Sequence, residues 1–169
     1  MFSKFKQHLQ DMRTIKSLCE GAEGHARVAG QEHPGAEHYV LSALELDDGS
    51  ARRVFERLGK DADAYRRALA GQHVDALKKL GIDAGGVGAP APIAGQPAAL
   101  FNSQPSGQAL MQALPELAKR SSTALCGAHV LLAAAGMQHS LAARALRAMD
   151  VEPQALARAA EDELGTAHA

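Results

Sequence analysis

The chain has 169 residues and a formal net charge of −1, a length that suits one compact domain or two small lobes and a charge that offers no long-range attraction to nucleic acid or anionic lipid. Hydrophobic residues make up 46% and aromatics 4%, with no tryptophan, so a core has to be built from alanine and leucine, which favours close-packed helices over sheets. No apolar run approaches the roughly 20 residues of a membrane span, and the opening Met1-Phe2-Ser3-Lys4-Phe5-Lys6 lacks the apolar segment of a secretory signal; a soluble cytoplasmic protein is expected, without membrane or nucleic-acid partners.

In chain order, Phe2, Phe5, Leu9, Met12, Ile15, Cys19, Ala22, Ala26 and Ala29 recur every three or four positions, the pattern of an amphipathic helix. Gly21 and Gly24 weaken it by about 1 kcal/mol each relative to alanine, which predicts a kink or break there, with Gly30 as a C-terminal cap. His33-Pro34-Gly35 forces a turn. A short buried helix is expected over 37–46, a turn over 47–50 and a third helix over 51–58, stopped by Gly59. Asp61 can cap a fourth helix that runs through Leu69 and ends near Gly71, with a separate short helix over 74–80. From Gly81 to Gln104 glycine and proline dominate and packing periodicity is lost, as in a linker. Helical pattern resumes over 105–120, turns at Ser121-Ser122-Thr123, and continues over 128–135 and 141–149. A last helix has Pro153 in its first turn, after a cap at Asp150 or Glu152; the tail after Leu164 is expected to fray.

Laid on itself at an offset of 91 positions, the chain repeats. His38 falls on His129, Leu41 on Leu132, Arg53 on Arg144 and Arg67 on Arg158, while Val40, Phe55, Leu58 and Tyr65 fall on Leu131, Leu146, Met149 and Leu156. An ungapped run of matched apolar classes marks an internal repeat. The fold expected is all-α, a tandem pseudo-twofold repeat of two four-helix bundles: residues 1–80, a Gly/Pro-rich linker over 81–104, and residues 105–169.

The repeats resemble the N-terminal domain of the Clp family of protein-unfolding ATPases, a tandem of two four-helix repeats. The resemblance rests on Pro34-Gly35-Ala36-Glu37-His38-Tyr39-Val40-Leu41 in the first copy and Leu125-Cys126-Gly127-Ala128-His129-Val130-Leu131-Leu132 in the second. The opening Met1-Phe2-Ser3-Lys4-Phe5 and the run from Ser50 to Gly59 are similar to the family's usual segments as well. Both copies lack the motif's threonine, with Ala36 and Gly127 in its place, the second has Ala128 where the motif has an acid, and the first helix and the linker are long. These departures are similar to divergent members associated with secretion systems or stress tolerance. No Gly-x-x-x-x-Gly-Lys-Ser/Thr loop occurs, so no nucleotide site is recognisable, and the chain reads as a free-standing or excised module.

What the resemblance implies is recognition without catalysis: a module that receives substrates, adaptors or a secretion-system component, or that regulates a Clp-type unfoldase. It implies partner contacts at Phe2, Phe5 and Phe101, near the start of each repeat, where family members hold peptides; the same aromatics could equally cap the core. It also implies that Glu37, the acid of the motif, receives phosphorylated arginine, for which a carboxylate and a guanidinium pair in a bidentate fork. The alternative for Glu37 is an acid that complements a helix dipole. His38 and His129 could be ligands or bases; their recurrence favours a structural role, hydrogen-bonding loop backbone in the first turn of a buried helix. No metal site is expected, because the spacing of His25, His33 and His38 matches no zinc pattern, and no cofactor is implied. Cys19 and Cys126 read as small packing residues. The runner-up function is a structural or stress-related protein that uses the fold to self-associate.

Overall fold

The computed structural model describes residues 2–86, 90–94 and 102–166. Among them there are eight α-helices, one 3₁₀ turn (Ala84–Gly86) and no strand, an all-α protein. The helices are α1 Phe2–Val28, α2 Ala36–Glu45, α3 Ser50–Arg57, α4 Ala62–Lys79, α5 Pro105–Ser121, α6 Gly127–Ala135, α7 Leu141–Ala148 and α8 Pro153–Thr166. Among the described residues no helix is long and apolar enough to cross a membrane.

The ends of these helices follow from local chemistry. Asp61 Oδ1 accepts the Ala64 N–H (2.7 Å) and Ser140 Oγ the Ala143 N–H (3.1 Å), each satisfying a donor that the first turn leaves free. Gly30, Gly49, Gly59 and Gly81 take positive φ at the turns, where a side chain would strain the backbone. Phe2 and Phe101 fall where no side chain is described; Phe101 and the tail beyond Thr166 lie outside the described residues altogether.

Two expectations about boundaries give way to tertiary structure. α1 runs unbroken through Gly21 and Gly24. At Gly21 a Cβ would collide with Ser42 of α2, whose hydroxyl donates to the Leu18 carbonyl at 3.0 Å. The glycine lets two helices approach closely, and that packing offsets its poor propensity. α4 passes through Gly71 to Lys79 as one helix, so the short helix expected over 74–80 is its second half.

The short helices α2 and α6 form the centre. Every residue of α2 from Ala36 to Leu44 is buried, and α6 buries all of Gly127–Leu131. α1 packs on α2, α5 and α8 pack on α6, and α2 packs on α6. Contacts then cross between the chain's two halves: α4 lies on α7 and α8 on α3. Leu18, Val40, Phe55, Leu110, Leu131 and Leu156 are among the side chains buried to within 2% of exposure. Close approach at the centre depends on Gly127, where a Cβ would sit 2.9 Å from Ala51 Cβ and 3.0 Å from the Ala43 carbonyl oxygen.

The described part of the 81–104 segment touches the body. The Ile93 N–H donates to the Arg27 carbonyl at 3.1 Å, beside Gly30, where a Cβ would meet Pro90 at 2.9 Å. Gln104 donates from its amide to Gln31 Oε1 (2.6 Å) and the His33 carbonyl (2.8 Å), fixing the start of α5 against the turn before α2.

Candidate functional site

His38 and His129 sit at the third position of α2 and α6 and make the same bond. The Gly35 N–H donates to His38 Nδ1 at 3.0 Å and the Cys126 N–H to His129 Nδ1 at 3.1 Å, each ring reaching back to the residue before its helix. For this Nδ1 must carry a lone pair, so each imidazole is neutral, with any ring proton on Nε2. Burial, helped by His25 and His73, pushes His38 down from 6.5 to about 4, and burial also lowers His129. His129 Nε2 lies 2.8 Å from Ser121 Oγ. Both rings are inside the protein, at 3% and 0% exposure, away from any surface.

The two helix starts are completed from distant segments. Ser106 Oγ of α5 accepts the Ala36 N–H at 3.1 Å, and Ser50 Oγ of α3 accepts the Ala128 N–H at 2.9 Å. Each central helix is thus capped by a serine from the other half of the chain.

Cys126 Sγ is 3.3 Å from His129 Nδ1, a spacing that resembles a nucleophile and its base. The chemistry opposes it: the Nδ1 lone pair is taken by the Cys126 N–H, and burial pushes the thiol up, so the thiolate that would attack is disfavoured. Cys19 is buried, and both cysteines are free thiols. Among the described residues no group of three or more His, Cys, Asp or Glu is placed to hold a metal.

Glu37 is 4% exposed. Its carboxylate curls back over the start of α2, where a Cβ on Gly35 would sit 2.6 Å from Oε2, and Oε1 lies 3.5 Å from His38 Nδ1. Burial raises its pKa, partly offset by its own backbone N–H and by His73 and Arg144. A carboxylate so placed complements the N-terminal end of the helix dipole and is not presented to an incoming guanidinium.

The surface with binding character lies elsewhere. The first half of α1 exposes Phe5 (62%), Leu9, Met12 (55%) and Ile15. It is held to the loop after α5 by polar side chains that also line the groove: Gln7 donates to the Thr123 carbonyl at 3.1 Å, and Asp11 Oδ1 accepts the Leu125 N–H at 2.7 Å. Between α1 and α5 this leaves a groove of about 720 Å³, floored by Met12, Ile15, Met111, Leu114, Pro115 and Leu125. Lys4, His8 and Lys119 also line it. Phe5 shares the helix but not the groove lining. Met111 and Pro115 are site residues that the sequence reasoning misses. The available signal is a proline inside an amphipathic helix, since it strips a backbone donor from one face.

No protein-family model matches the chain, and no curated protein matches it.

Proposed function

We propose that this chain is a non-catalytic protein- or peptide-binding module of the Clp N-terminal type, built from two copies of one four-helix unit, α1–α4 and α5–α8. The duplicated histidine caps, the exchanged serine caps and the crossed packing of α4 on α7 and α8 on α3 support the two-copy reading. The observation that carries the function is the α1–α5 groove, an apolar concavity beside exposed Phe5 and Met12. Methionines suit such a surface because a flexible, polarizable side chain adapts to different partners. In this reading the groove takes a segment of an unfoldase, of its substrates or adaptors, or of a secretion-system component.

The test is site-specific photo-crosslinking in cells. A photoreactive residue at Met12 or Met111 should capture a defined protein, whereas the same residue at Glu56, exposed on α3, should not. Equal capture from both faces, or from neither, sinks the reading. Capture of the chain by itself, with a dimer mass in light scattering, would instead favour the self-associating protein.

A further inference from the structure

We propose that the occupant of the α1–α5 groove is the apolar face of an acidic amphipathic helix. The proposal rests on the reading of that groove as the docking site and adds the partner's chemistry. The chain carries almost no net charge, yet the uncommitted charge lining this groove is of one sign. Lys4 and Lys119 line it together with His8. Lys16 is offset by Glu20 at 3.7 Å. The one acid in the lining, Asp11, is committed to the Leu125 N–H. Neither Lys4 nor Lys119 has an ion-pair partner among the described residues.

An apolar floor with an uncompensated cationic rim selects its ligand twice. The floor takes leucine-like side chains, which recur on one face of a helix at every third or fourth position. The rim favours carboxylates flanking that face and repels lysines there. A second copy of this chain is a poor occupant, because apposing two such helices would bring their lysines together.

The experiment uses the full chain and two designed peptides of about five helical turns. They share one leucine face; one has glutamates flanking it, the other lysines. Fluorescence anisotropy should show the acidic peptide binding about tenfold or more tightly, with the gap narrowing at about 0.15 M salt, where charges farther apart than about 8 Å are screened. Lys4→Glu with Lys119→Glu, both exposed positions, should reverse the preference, and Met12→Asp should weaken both peptides. Equal affinity of the two peptides, still lost in Met12→Asp, overturns the acidic partner and leaves the groove standing. Binding of neither peptide overturns the groove reading itself. Binding to phosphatidylserine-containing vesicles but to neither peptide overturns the proposal in favour of an anionic lipid surface.

Discussion

At the scale of single residues, the paired histidines define how the buried helices begin. His38 is neutral in the folded protein down to about pH 4 but titrates near 6.5 once unfolded. Between those values the unfolded chain binds the extra proton, so stability is full above about 6.5 and falls as pH drops toward 4, by roughly 3 kcal/mol for a shift of that size. His129, also lowered by burial, acts in the same direction, while Glu37, whose carboxyl is raised, binds its proton first in the folded state and opposes the trend. Urea denaturation from pH 7.5 to 4.5 should show this loss, and His38→Ala should flatten it. At neutral pH the same variant should cost about 1–3 kcal/mol, since the Gly35 N–H loses its acceptor. The identity and spacing of these histidines are legible in the sequence; their protonation is not, because it depends on burial by helices from both halves. Glu37 illustrates the limit further. The family resemblance implies a receptor for guanidinium there, whereas its exposure is decided by what packs over α2.

At the scale of elements, glycine separates local from tertiary control. Gly71 lies inside α4, and a Cβ added there would meet nothing within 4 Å, while at Gly127 it would meet Ala51 and the Ala43 carbonyl at about 3 Å. The same chemical change should therefore have opposite signs. Gly71→Ala should stabilise by about 0.5–1 kcal/mol through helix propensity, and Gly127→Ala should destabilise by about 1–3 kcal/mol through overpacking between α6, α2 and α3. Thermal and urea unfolding of the two variants side by side will read this directly; a Gly127→Ala protein as stable as the parent would mean that the helices can separate at little cost. The unbroken course of α1 through Gly21 has the same origin. Propensity predicts a kink, and the contact with Ser42 of α2 makes the glycine an asset.

For the whole molecule, the halves are joined by polar contacts as well as by packing. Ser50 serves α6 and Ser106 serves α2, while Glu163 of α8, itself 6% exposed, accepts from Arg53 at 2.6 Å and Arg57 at 3.2 Å on α3. Unfolding of the full chain should accordingly be a single cooperative transition. A fragment of residues 1–80 would expose the faces of α2 and α4 that pack on α6 and α7; it should show weak helical circular dichroism and no cooperative melt. A fragment that melts cooperatively by itself would show that the crossed contacts are dispensable.

An alanine- and leucine-rich sequence with apolar residues every three or four positions could only bury them as helices, and capping and turn residues placed most helix ends, because both depend on neighbours a few positions away. The all-helical class was therefore readable from one chain. Which apolar stripe stays open was not. Met12 and Ile15 carry the same periodic signature as the buried Leu18 and Ala22 further along α1, and only the docking of α2 on one half of that helix, with the polar tether of Gln7 and Asp11 on the other, decides that the first stripe lines a groove and the second a core.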